Sequence, residues 1–229
     1  MLNVTGMVTV AVAGVFLIAG ASEVVGQPLL SISDGFGSSS SSAWLVVNSP
    51  EAQPGNFVPS GGNPSWYASL AATTSVNNRT GTGYRYQGAG SSIVLGTAGT
   101  QITLGADLRR ASIPRPGLAA PELVPIIVQG SRLYQPASFI PGPTLSEWTT
   151  IAPVTFNVSE FTNSSGVPLD LSASVTIGFW WRFNALPSQP SGSIYGVGVD
   201  NLTLAVIPAP GAMATVLVGL AALARRRRG

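Results

Sequence analysis

Between residues 28 and 206 the chain alternates apolar and polar positions in short stretches separated by turn-forming clusters. Ile102, Leu104, Ala106 and Leu108 alternate with Gln101, Thr103, Gly105, Asp107 and Arg109. Val154, Phe156 and Val158 are set against Thr155, Asn157 and Ser159 in the same way. The longest stripe, Val175, Ile177, Phe179, Trp181 and Phe183, is opposed by Thr176, Gly178, Trp180 and Arg182. Successive side chains of a strand point to opposite faces, so each stripe puts one face into a core and the other toward water. No stretch sustains a 3.6-residue apolar period, and runs such as Pro59-Ser60-Gly61-Gly62-Asn63-Pro64 and Ile113-Pro114-Arg115-Pro116-Gly117 would break a helix. The pattern predicts an all-β, antiparallel sandwich or barrel of about nine to eleven short strands without internal repeats.

The final stripe contains an irregularity. Val197 and Val199 are apolar at odd positions, whereas Leu202 and Leu204 are apolar at even ones. Parity slips by one residue at Asp200-Asn201, which predicts a β-bulge there.

Both ends depart from this pattern. Met7 to Ala19, MVTVAVAGVFLIA, is uncharged over thirteen residues. That length suits the core of a secretion signal and falls short of the ~20 residues of a spanning helix. Ala19-Gly20-Ala21 then supplies a small-x-small cleavage site, so residues 1–21 read as a signal peptide, with Gly26 as the alternative end. At the other end Pro208 and Pro210 stop the last strand, and Ala212 to Ala224 is uncharged. As a helix this run measures about 20 Å, shorter than a hydrocarbon core of ~30 Å. Arg225, Arg226, Arg227 and Arg228 follow as a membrane stop that stays on the cytoplasmic side.

This tail resembles the PEP-CTERM sorting signals of Gram-negative and planctomycete-like bacteria, which combine a Pro-Glu-Pro-like motif, a short apolar helix and a terminal Arg cluster. The resemblance covers residues 207–229, with Pro208-Ala209-Pro210-Gly211 as the motif and Ala209 standing where the family usually has Glu. It implies an exported protein handled by export machinery, signal peptidase and an exosortase. Such a protein passes through an inner-membrane intermediate to the cell surface or extracellular matrix. A plain C-terminal membrane anchor is the alternative.

The domain between the ends, residues 28–206, loosely resembles jelly-roll carbohydrate-binding modules in its closing segment GVGVDNLTLAV, in Ser33-Asp34-Gly35-Phe36 and in the Ile177-Gly178-Phe179 strand. The resemblance implies a jelly-roll-like sandwich, flanked here by a signal helix and a C-terminal apolar helix.

Composition narrows the chemistry. The chain has no His, no Cys and no Lys. His-based triads, thiol catalysis, zinc-thiolate sites, disulfides and Schiff-base chemistry are thereby excluded. Four of the eleven basic residues form the terminal Arg cluster, which leaves seven against nine acids and argues against a nucleic-acid surface. The carboxylates Asp34, Glu51, Asp107, Glu122, Glu147, Glu160, Asp170 and Asp200 show none of the close spacing that sandwich hydrolases use, so no catalytic residue is assigned. Ser38 to Ser42 is a low-complexity loop without a nucleophile elbow.

Two binding candidates remain. Asp34 and Asp200 could hold a structural calcium between the first and last strands, since Ca²⁺ takes oxygen ligands. Alternatively, Asp200 and Asn201 hydrogen-bond the bulge and a neighbouring turn. Trp180 and Arg182 lie opposite the core stripe, where an open indole would stack on sugar; alternatively they cover a second layer. Asn3, Asn78, Asn157, Asn163 and Asn201 head Asn-x-Ser/Thr sequons, little above the number chance provides. The expectation is a non-enzymatic exported sandwich without an obligate cofactor. Binding of extracellular polysaccharide is the alternative, and a sandwich-type glycoside hydrolase the third reading.

Overall fold

The computed structural model describes residues 27–36, 43–48, 56–59, 61–62, 66–73, 81–110, 122–143, 146–182 and 194–209. The signal segment with Ala19 and Ala21, the Ser38–Ser42 loop, Pro210, Gly211 and the Arg225–Arg228 cluster lie outside the described residues.

Thirteen strands occur among the described residues: β1 Leu30–Asp34, β2 Trp44–Asn48, β3 Asn56–Val58, β4 Tyr67–Thr73, β5 Gly81–Tyr86, β6 Ile93–Val94, β7 Gln101–Arg110, β8 Glu122–Gln129, β9 Arg132–Tyr134, β10 Ile140–Pro141, β11 Thr149–Asn157, β12 Ser174–Arg182 and β13 Ile194–Ile207. The surplus over the sequence expectation comes from strands of two or three residues, β3, β6, β9 and β10, which are too short to show a period. One 3-10 turn, Val158–Glu160, follows β11. No helix among the described residues is long and apolar enough to cross a membrane.

The strands form two antiparallel sheets packed as a sandwich. One runs β11-β7-β13-β4-β3 with β1 also on β13, and the other runs β10-β8-β12-β5-β2 with β9 on β8. The short β6 pairs with the start of β12. The alternating stripes build the interior as expected: Ile102, Leu104, Ala106 and Leu108 of β7 meet Val175, Ile177, Phe179 and Trp181 of β12 in one buried cluster. Phe36, Trp44, Phe57, Tyr84 and Phe179 join it as a network of rings with centroids 4.9–6.1 Å apart. Phe57 belongs to the first sheet and Trp44, Tyr84 and Phe179 to the second, so these rings fasten the layers to each other.

Three departures from the alternation have local causes. The register on β7 shifts between Ile151 and Val154, and Pro153 rides over Gly105. Val154 pairs with core-facing Leu104 but lies on the edge strand and is 38% exposed, while Phe156 and Val158 stay buried. β12 ends at Arg182, so Phe183 of the predicted stripe lies outside the described residues. The slip in β13 is a register shift between Asp200 and Thr203, with Asn201 at a φ of 44°. At this bulge β13 exchanges one neighbour for another: Ile194 to Val199 pair with β4, and Leu202 to Val206 pair with β1.

The pairing of β5 with β12 depends on two glycines. A Cβ on Gly178 would run into the Tyr84 carbonyl oxygen, and one on Gly83 into that of Phe179. Both contacts are with backbone, which cannot swing aside as a side chain can.

Candidate functional site

Strand parity turns Arg182 and Trp180 of β12 away from the main core, as the sequence predicts, but not toward water. Trp180 is 4% exposed and packs with Val124 and Ile126 of β8, flanked by Val47, Val128 and Leu133. Its outer face is thus a second apolar layer, and the indole is no stacking platform for a sugar. Its Nε1–H is buried without a hydrogen-bond partner.

Arg182 is 2% exposed and ion-paired to Glu122, with Nε 2.7 Å from the carboxylate. Its Nη1 donates to Gln135 Oε1 and to the Pro136 carbonyl, each at 3.0 Å. Arg182 and Glu122 are register partners on β12 and β8, so the pair closes across adjacent strands and ties in the segment after β9. A guanidinium held this way is a structural group and has no donors to spare for ring hydroxyls.

Asp34 ends β1 opposite Leu202, two residues past Asp200 on β13, and a Cβ on Gly35 would lie 3.9 Å from Asp200 Oδ1, so both carboxylates belong to the same corner of the fold. The hydrogen bonds there favour the bulge-and-turn reading over calcium. Asp34 Oδ1 accepts from the Phe36 amide at 2.7 Å and Oδ2 from the Trp44 indole N–H at 2.8 Å. Asp200 Oδ1 accepts from the Asn201 amide at 2.7 Å, and Asn201 Nδ2 donates to Asp107 Oδ2 at 2.7 Å. The short acceptors stabilise two strained turns, Phe36 at a φ of 49° and Asn201. Among the described residues no group of three or more acidic side chains is placed to hold a metal ion.

Two further carboxylates, Glu160 and Asp170, also serve local structure. Glu160 accepts from Ser138 Oγ at 2.7 Å and from Asn157 Nδ2 at 2.8 Å, and the Ser138 bond foremost holds its carboxyl below the ordinary range. Asp170 is lowered likewise, chiefly by the Ser172 hydroxyl at 2.7 Å. Of the sequon asparagines, Asn157, Asn163 and Asn201 all donate through Nδ2, the atom a glycan would take, to Glu160, Val167 and Asp107 respectively.

The most distinctive surface arrangement was not singled out by sequence reasoning. On the outer face of the first sheet, the Arg109 guanidinium carbon lies 4.5 Å from the Tyr67 ring centroid and 4.9 Å from that of Trp148. The two rings are 5.6 Å apart at 75°. Tyr67 opens β4, Arg109 lies near the end of β7 and Trp148 immediately precedes β11. Gly198 of β13, the register partner of Arg109, is the floor: a Cβ there would come within 3.0–3.1 Å of all three side chains. Trp148 Nε1 donates to the Gly61 carbonyl at 3.1 Å, and Gly61 has a φ of 84°, which only glycine adopts readily. The available signal was a lone Trp in the polar segment Ser146-Glu147-Trp148-Thr149, ahead of a strand.

No protein-family model matches the chain, and no curated protein matches it. Two solved structures are similar in outline. One is TmCBM61 in complex with beta-1,4-galactotriose, at 10% identity and a TM-score of 0.37, covering 78% of this chain and 98% of that one. The other is the Stig cyclase Fisc from Fischerella sp. TAU in complex with an indole compound, at 14% identity and a TM-score of 0.40, covering 79% and 100%. Likenesses of this size carry nothing about what this chain binds or does.

Proposed function

We propose that this chain is an exported, non-catalytic sandwich of jelly-roll type, delivered by its N-terminal signal and PEP-CTERM-like tail and displayed at the cell surface or in the extracellular matrix. The observation that carries this reading is where the last described strand ends. β13 ends at Ile207 and the Pro208-Ala209-Pro210-Gly211 motif begins at the next residue, so cleavage at the motif would leave β13 intact. Support for a non-catalytic role comes from the carboxylates. Asp34, Glu122, Glu160 and Asp170 each hold hydrogen bonds to turns or to a neighbouring strand.

Mass spectrometry of the protein from its native cells tests delivery. The expected species starts at Ser22 and ends near the Pro motif, outside the cytoplasm. Replacing Arg225 to Arg228 with Gly should release the protein into the medium or leave its tail unprocessed. An intact, uncleaved chain confined to the cytoplasm would overturn the proposal. Carbohydrate binding remains the second reading, and the observation that favours it is the Tyr67–Arg109–Trp148 arrangement, not Trp180.

A further inference from the structure

Arg109 and Arg182 use the same group in opposite ways. The Arg182 guanidinium is enclosed by a carboxylate, a side-chain amide and backbone carbonyls. The Arg109 guanidinium makes no ion pair or hydrogen bond among the described residues, and its buried Nε has no partner. Tyr67 and Trp148 lie toward one side of it, shield it in part from water and supply only the quadrupole of their rings. Asp107 lies two residues away on the same face of β7, but its Oδ2 accepts from Asn201 Nδ2. A cation in this setting lacks an oxygen acceptor. Bidentate pairing with a carboxylate is the strongest way to provide one.

The surroundings are built to hold the cation in place. The Gly61 carbonyl fixes the indole, Gly198 lets all three side chains settle onto the sheet, and Tyr67 is 8% exposed, which leaves it little freedom. Trp148 is half-buried and thus still presents part of its surface to solvent. An aromatic surface beside an oriented guanidinium suits a ligand that carries a carboxylate next to a ring face lined with C–H groups.

We propose that Tyr67, Arg109 and Trp148 form a binding site for an acidic saccharide. Arg109 takes the carboxylate of a uronic-acid residue, and Trp148 packs against its ring. A neutral sugar would leave the half-buried cation uncompensated. The site does not depend on how the chain is delivered. Loss of the export reading would leave it standing, and its own failure would leave the export reading intact.

The test is calorimetric titration of the purified full chain with polygalacturonate, with tryptophan fluorescence as a second readout. Polygalacturonate should bind, and binding should weaken as salt rises, because a charge pair is involved. Arg109→Gln and Trp148→Ala should each weaken it by about tenfold or more, while leaving the melting transition in place. Should Trp148→Ala unfold the protein, Trp148→Phe and the salt series on the parent chain still decide. The fully methyl-esterified polymer, whose carboxylates are blocked, should bind at least about tenfold more weakly than polygalacturonate. Absence of polygalacturonate binding overturns the proposal, as does unchanged affinity in Arg109→Gln. Equal binding of the esterified polymer, or of polyglutamate, overturns it as well, the latter pointing to a peptide partner.

Discussion

Tyr84 places a hydroxyl where the interior offers it nothing. The residue is 0% exposed, its ring centroid lies 4.9 Å from that of Phe57 and 5.6 Å from that of Phe179, and its oxygen has no hydrogen-bond partner. A buried polar group without a partner forfeits its hydration, a penalty of about 1–3 kcal/mol. Tyr84→Phe removes that oxygen and keeps the ring contacts. We expect the variant to be more stable by about 1–2 kcal/mol, the lower part of that range, because the vacated volume gives a little back. For a domain of this size that is a rise in melting temperature of about 2–8 °C.

A second signature appears in alkali. Burial pushes the Tyr84 phenol well above the usual value of 10.0. Below pH 10 the phenol is neutral in both states and contributes no pH dependence. Above it the unfolded chain releases a proton that the folded chain retains, so stability falls as pH rises, approaching about 1.4 kcal/mol per pH unit from this group. Urea unfolding at pH 7 and across pH 9.5–11 measures both effects. Tyr84→Phe should gain stability at pH 7 and show a shallower alkaline decline than the parent. A variant less stable at pH 7, with an alkaline decline parallel to the parent's, would refute the reasoning and mean that the hydroxyl is satisfied in solution.

Three further outcomes follow from the same geometry. Glu122→Ala leaves the Arg182 charge buried and should destabilise by about 3–5 kcal/mol in urea unfolding; a loss under about 1 kcal/mol would show that water reaches the pair. Trp180→Ala should destabilise by about 3–5 kcal/mol, as large-to-small changes in a packed layer do, and should leave polygalacturonate affinity unchanged; a stable variant with impaired binding would restore Trp180 as a contact residue. Chelation with EDTA should not move the melting temperature, because both Asp34 oxygens already accept hydrogen bonds; a clear drop, reversed by calcium, would restore the metal reading.

The interior was legible in the sequence where alternation is strict, in β7 and β12, because a two-residue period sorts side chains between faces regardless of what the strand pairs with. It says nothing of what lies above the second face. For that reason Trp180 was assigned to the correct side of its strand, with its environment left open between water and a second layer. The informative signal lay elsewhere: Glu122-Leu123-Val124-Pro125-Ile126-Ile127-Val128 is nearly continuous in apolar residues, the mark of a strand covered on both faces. Any strand paired to it inherits that second layer. Contacts between distant strands stayed hidden. Arg182 finds Glu122 across 60 residues, and Trp148 finds the Gly61 carbonyl across 87. Such meetings depend on strand order and register, which one sequence does not specify.

The bulge in β13 shows why polar groups are tolerated at the corner of the fold. This strand spans fourteen residues and must bury Val197 and Val199 before the slip and Leu202, Leu204 and Val206 after it. In an unbroken strand the last three would face outward, forfeiting roughly 5–9 kcal/mol of apolar burial. The bulge restores their orientation at the expense of one residue in the left-handed region, about 1–2 kcal/mol. Asp200, at the start of the slip, is fully buried and must be satisfied there. The Asn201 amide donates to it, and the Asn201 side chain donates to Asp107, the register partner of Asp200 on β7. Burial of three side chains outweighs one strained residue and a satisfied polar cluster, so apolar burial suffices to hold the register of the longest strand. The slip coincides with the change of neighbour from β4 to β1 on one edge of β13, while β7 absorbs it as a bulge and stays paired to the other edge on both sides.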